Sequence, residues 1–154
     1  MDLDSGFKIE DPPITVPFLI GEDELRKLVG SRLRHVTTGY FTVSCCSLGG
    51  LEHELGFHFE PRSGGRLVEL EFFRRAYPDQ AQSFAEFQKH FEREFGEPAR
   101  TVDGPEGLPS HVWELGRFAI VHCVYDRFGP EEHMRIRIDP LPQYIGWYGR
   151  AAAG

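Results

Sequence analysis

EHELGFHFE, residues 52 to 60, alternates with period two. His53, Leu55, Phe57 and Phe59 fall on one side of an extended chain, and Glu52, Glu54, His58 and Glu60 fall on the other. Successive side chains of a strand point to opposite faces, so the pattern marks a strand with one buried face. The flanking stretches read the same way. Residues 40 to 47 set Phe41, Val43 and Cys45 on one face, and residues 67 to 74 set Val68, Leu70 and Phe72 inside with Glu69 and Glu71 outside. Three consecutive half-buried strands imply an antiparallel sheet.

A slip of one residue would turn every apolar side chain outward, so the pattern also predicts register. Facing Phe41 with Phe57 requires the three-residue turn Leu48-Gly49-Gly50. Facing Phe57 with Leu70 and Phe59 with Val68 requires the four-residue loop Arg62-Ser63-Gly64-Gly65.

Upstream, residues 1 to 13 are polar and end in two prolines, which reads as a loose leader. Residues 14 to 20 read as a short edge strand, because Pro17 cannot donate to a ladder. Glu22, Asp23 and Glu24 then suit the first turn of a helix, where negative charge meets the positive end of the dipole. Leu25, Leu28 and Val29 would form its buried stripe, and Gly30 would end it.

Downstream, Ser83-Phe84-Ala85-Glu86 has the spacing of a capping box, with Asp79 able to cap an extra turn before it. Phe84, Phe87, Phe91 and Phe95 recur at helical intervals, and Gly96 with Pro98 closes the helix. Residues 97 to 109 read as a loop. Residues 111 to 115 form a strand, and Gly116-Arg117 a tight turn that pairs Leu115 with Phe118, Trp113 with Ile120 and His111 with His122. A loop from Asp126 to Glu132 leads to a last strand with Met134, Ile136 and Ile138 inward. The expectation is an α+β fold: an antiparallel sheet of about six strands with two helices, in the order α-βββ-α-βββ. It forms a single domain over residues 1 to 154, with an irregular aromatic tail at 140 to 154 and internal duplication as an open alternative.

The 154 residues suit one domain, and thirteen phenylalanines argue for a ring-rich core rather than disorder. The net charge of -7, with no run of bases, argues against nucleic acid as a partner and favours a basic one. Three cysteines and an acidic start without an apolar stretch point to the cytoplasm and to free thiols. No apolar run is long enough to cross a membrane.

The polar groups divide into four candidates. Glu52, Glu54, His58, Glu60, Glu69 and Glu71 share the solvent side of two adjacent strands, a surface able to bind a basic protein. His111 and His122 could begin a metal site, but no third ligand is evident, so neither metal nor cofactor is expected. His111, Trp113 and His122, with Trp147 and Tyr148 from the tail, could instead line a pocket for a small molecule. Cys45 beside His53 has the makings of a thiol nucleophile, but it sits among apolar residues and lacks an orienting partner. No phosphate-binding glycine loop and no nucleophile elbow occurs.

The helix SFAEFQKHFEREFGEP, followed by HVWEL and FAIVHCVYDRFG, resembles the second half of small bacterial immunity proteins that neutralise polymorphic toxins. In those a helix closes on Phe-Gly-x-Pro, a Trp-bearing strand follows and a hairpin completes the sheet. The resemblance covers residues 80 to 139 and implies an acidic, stoichiometric protein binder without catalysis. The leading expectation is therefore a non-catalytic protein-binding module, possibly an immunity-type inhibitor. A small-molecule-binding or enzymatic domain and a secretion-chaperone-like dimer or adaptor are the alternatives. Oligomeric state is left open.

Overall fold

A computed structural model describes residues 1–74, 79–104, 107–126 and 130–138. The tail, with Trp147 and Tyr148, lies outside them. The chain forms two compact units, Met1–Ala76 and Tyr77–Gly154.

The first unit comprises β1 (Phe7–Asp11), β2 (Ile14–Val16), α1 (Glu22–Val29), β3 (Arg34–Thr37), β4 (Tyr40–Ser47), β5 (Leu51–Glu60) and β6 (Arg66–Phe73). Its strands lie in the order β2-β1-β4-β5-β6. β3 pairs with β4 at Arg34↔Thr42 and Thr37↔Tyr40, while β1 pairs with it at Ile9↔Ser47 and Asp11↔Cys46. One edge of β4 is thus shared by two short strands, and β5 takes the other edge.

Residues 1 to 13 are not a loose leader. Phe7 and Ile9 alternate with Lys8 and Glu10 and are buried at 0% and 1% exposure. The Glu10 carboxylate accepts from the backbone N–H groups of Gly49 and Gly50, both at 2.8 Å. That turn, Leu48-Gly49-Gly50, is the expected one, with all three residues at positive φ and Phe41 opposite Phe57. In α1 the three acids occupy the first turn and Gly30 (φ 74°) caps the end. Leu25 and Val29 are buried, whereas Leu28 is 40% exposed, so the stripe is narrower than expected.

The β5–β6 register holds at Phe57↔Leu70 but shifts between His58 and Phe59, placing Phe59 opposite Leu67 rather than Val68. The cause is local. Glu60 accepts from the N–H of Arg62 at 3.3 Å and caps a 3-10 turn at Pro61–Ser63, and Gly64 (φ 74°) leads the chain back. The loop begins at Pro61, one residue earlier than expected, and the extra residue is taken up as a bulge.

The second unit comprises α2 (Gln80–Phe95), β7 (Arg100–Asp103), β8 (Pro109–Leu115), β9 (Phe118–Asp126) and β10 (Pro130–Ile138). Its strands form a meander in the order β10-β9-β8-β7. The stretch expected as a loop at 97 to 109 contains β7, paired with β8 at Thr101↔His111. The pairs Leu115↔Phe118, Trp113↔Ile120 and His111↔His122 stand as expected around Gly116 (φ 60°). β10 starts at Pro130, so the expected loop from Asp126 to Glu132 is shorter. Phe84, Phe87 and Phe91 of α2 are buried, and Gly96 caps its end.

The expectation of about six strands is overturned. The described residues hold ten strands and two α-helices, mostly sheet, and every pairing described is antiparallel. In each unit a helix is followed by four strands in a meander, not three. Of the strands missed, β3 and β7 lack an alternating apolar pattern, all four residues of β3 being exposed and β7 nearly so, whereas β1 does alternate but over only five residues in a polar stretch.

Candidate functional site

On the polar side of β4, β5 and β6, cross-strand pairing sets Tyr40, His58 and Glu69 in one row and Thr42, Gly56 and Glu71 in the next. His58 Nε2 lies 2.7 Å from Glu71 Oε2 and 3.8 Å from Glu69 Oε2. The Tyr40 hydroxyl donates to Glu71 at 3.3 Å, and its ring stacks on His58 at 4.4 Å between centroids. Ser44 donates to Glu54 at 2.7 Å.

This is not the open acidic face the alternation suggested. Glu54 and Glu69 are 8% and 3% exposed, and the Glu71 side chain 23%. Glu60 is half-buried and spends one oxygen on its cap. Glu52 is exposed, and the His58 side chain is 31% exposed. Of the six residues expected to meet a partner, Glu52, His58, Glu60 and Glu71 remain within reach of solvent. Tyr40 and Ser44 complete the cluster and were not singled out, since a polar residue in an alternating strand gives no hint of which carboxylate it will meet.

Cys45 and His53 do meet, with Sγ and Nε2 3.8 Å apart. His53 Nε2 also meets Ser47 Oγ at 2.5 Å, and its Nδ1 lies 2.9 Å from the carbonyl oxygen of Glu54. Burial pushes the Cys45 thiol up to about 12, helped by the neighbouring Cys46 and Glu54. Burial likewise pushes His53 down to about 4. A buried thiol held neutral beside a buried imidazole is a poor nucleophile near neutral pH.

In the second unit His111 and His122 are cross-strand neighbours with rings 6.3 Å apart. His111 Nδ1 lies 2.9 Å from Thr101 Oγ1, and burial with the neighbouring His122 pushes its pKa down to about 4. His122 is fully buried beneath the Phe84 ring, stacked at 3.9 Å. Its Nδ1 lies 2.8 Å from the Gln88 side-chain oxygen and its Nε2 2.8 Å from Glu132 Oε2, while Ser83 donates to Glu132 Oε1 at 2.9 Å. Burial lowers the pKa of His122, and the hydrogen bond and charge of Glu132 act against that.

The chain Ser83–Glu132–His122–Gln88 contains serine, histidine and a carboxylate, but in the wrong order for covalent catalysis. Covalent catalysis needs the histidine as the base on the hydroxyl; here the Ser83 hydroxyl donates a hydrogen bond to the carboxylate and does not meet His122. Among the described residues, no group of three or more His, Cys, Asp or Glu is placed to hold a metal ion. Trp113, expected to line a pocket, is 1% exposed, packs near Phe91 and donates its indole N–H to the Gly96 carbonyl at 2.8 Å.

Three of the network's residues escaped the sequence reading. Ser83 passed for a cap and Glu132 for a loop residue. Gln88 carried a usable signal: it is a polar residue on the helix stripe bounded by Phe84, Phe87 and Phe91.

No protein-family model matches this chain, and no curated protein matches it. Among solved structures it is similar to a DUF4309 family protein (YjgB) from Bacillus subtilis, at a TM-score of 0.40 and 12% identity. The likeness covers 77% of this chain and 78% of that one. At that TM-score it carries no argument about fold or function.

Proposed function

We propose that this chain is a non-catalytic protein-binding module, of the kind an immunity-type inhibitor represents, and that it recognises a basic partner. The observation that supports this reading best is where the reactive groups lie. Cys45, His53, His111 and His122 are buried and engaged in internal hydrogen bonds, whereas Glu52, His58, Glu60 and Glu71 stay within reach of solvent. A chain of net charge -7 steers a cationic partner toward such a surface and gains specificity from it. No described feature favours the small-molecule pocket. Among the described residues the exposed large apolar side chains are Leu28 and Val36, which is no broad patch for a chaperone-like dimer.

The test uses calorimetric titration of the purified chain against the products of the genes flanking its own. A saturable one-to-one complex that weakens as salt rises is expected, and Glu52→Lys with Glu60→Lys should weaken it about tenfold or more, as loss of charge complementarity does. Tight binding indifferent to both salt and the double reversal would remove this surface from the proposal. Absence of any complex with those products would overturn the reading.

A further inference from the structure

The buried chain in the second unit contains one atom that its surroundings leave unmatched. Gln88 turns its amide oxygen to Nδ1 of His122, and its amide nitrogen is buried without a hydrogen-bond partner. The other ring nitrogen, Nε2, faces the Glu132 carboxylate. With an oxygen before each nitrogen, the ring fits this arrangement when both nitrogens carry protons, as in an imidazolium. The surroundings oppose that charge. Burial holds His122 below its ordinary pKa, so near neutrality the ring keeps one proton. The carboxylate accepts that proton at Nε2 and leaves Nδ1 bare.

A bare Nδ1 needs a donor, and among the described residues the polar group that meets it is Gln88. The oxygen and nitrogen of a primary amide occupy equivalent ends of a fork, so half a rotation about the last side-chain bond exchanges them. We propose that the Gln88 amide is a proton-following switch: it donates N–H to Nδ1 of neutral His122, and it turns to accept from Nδ1–H when His122 gains a proton. One proton from solvent enters at Nδ1, and no other bond in the chain changes partner. Glu132 keeps accepting from Ser83 and from Nε2–H, and α2 stays tied to β9 and β10 in both states.

The groups facing His122 are few. β10 presents Glu132, and β8 presents His111, itself engaged with Thr101 of β7. α2 presents Ser83, Phe84, Phe87 and Gln88, none of which titrates. Among the described residues, Glu132 and His111 are thus the other titrating groups that act on the ring. Glu132 favours the second proton, and a protonated His111 opposes it.

Nitrogen-15 NMR of the histidine rings in the intact protein reads the states directly. Between pH 8 and 7 the His122 ring should show a protonated Nε2 and a bare Nδ1. On acidification Nδ1 should gain its proton while the Ser83 and Gln88 amides of α2 keep their protection from exchange. Gln88→Met keeps length and volume but offers Nδ1 neither strong donor nor strong acceptor. It should lower the proton affinity of His122 by up to about tenfold, the excess of a hydrogen bond from the charged ring over one to the neutral ring, and in acid it should speed α2 exchange by a similar factor. Two protonated nitrogens at pH 8, or a proton on Nδ1 alone, would overturn the proposal. So would a His122 titration unchanged by Gln88→Met. If the variant does not fold, the tautomer of the unaltered protein decides.

Discussion

Gly56 shows how a single residue shapes the polar face. A Cβ built there would sit 2.8 Å from both Cε1 and the hydroxyl oxygen of Tyr40. Only the bare backbone lets that ring lie flat, stack on His58 and reach Glu71. Gly56→Ala should therefore lower stability by about 1–3 kcal/mol, the usual cost of overpacking. Urea midpoints would show it, and the penalty should largely vanish in a Tyr40→Ala background. The cysteines make a second prediction at this scale. Cys45 and Cys123 are buried with thiols pushed up to about 12 and about 11, while Cys46 is half-buried. Titration with a disulfide reagent at pH 8 should modify no more than Cys46 in the native chain and all three thiols in denaturant. Fast reaction of two or more native thiols would contradict the burial. The alternation that located Glu54 and Glu69 could not tell a wet face from a covered one. Period two reports which side a residue points to, not what lies over that side.

The second helix and its meander were the more legible elements. Phe84, Phe87 and Phe91 at helical spacing mark the buried stripe of α2, and the turn at Gly116 sets the β8–β9 register. The start of α2 was less legible, since two signals competed. Asp79 is the N-cap and accepts from the N–H of Ala81 at 3.0 Å, whereas Ser83 lies a turn inside and spends its hydroxyl on Glu132. The extra turn wins because Ser83 gains a buried carboxylate partner as a helical residue. Asp79→Ala should cost about 1 kcal/mol, as loss of a cap does. Ser83→Ala should cost a similar amount for a different reason, since Glu132 loses a donor. Circular dichroism during thermal melting separates them if repeated with Glu132→Gln, which should soften only the Ser83→Ala loss. Short strands such as β3 and β7 were illegible because exposed edge residues carry no burial pattern. Ladder partners, not side chains, make them strands.

Across the whole molecule, buried neutral histidines set the response to acid. His53 and His111 are held down at about 4 and His122 is lowered, against 6.5 for an ordinary histidine. Between these values the unfolded chain binds protons that the native chain refuses, so stability must fall as pH falls from 6.5 toward 4. Above 6.5 these three histidines add no slope. Urea midpoints at pH 8, 6.5, 5 and 4 should be level and then descend, with a shallower descent in His53→Gln. A profile that stays flat to pH 4 would contradict the burial of these rings.

The N-terminal strand has a consequence in time rather than in energy. Each meander closes between strands that follow one another in the chain, but Glu10 reaches Gly49 across 39 residues. Closing so long a loop is slower than closing a hairpin. The first unit should therefore assemble β4, β5 and β6 early and receive β1 late. In that interval the end of β4 carrying Cys46 and Ser47 offers bare ladder groups, and a crowded chain would find its wrong neighbours there.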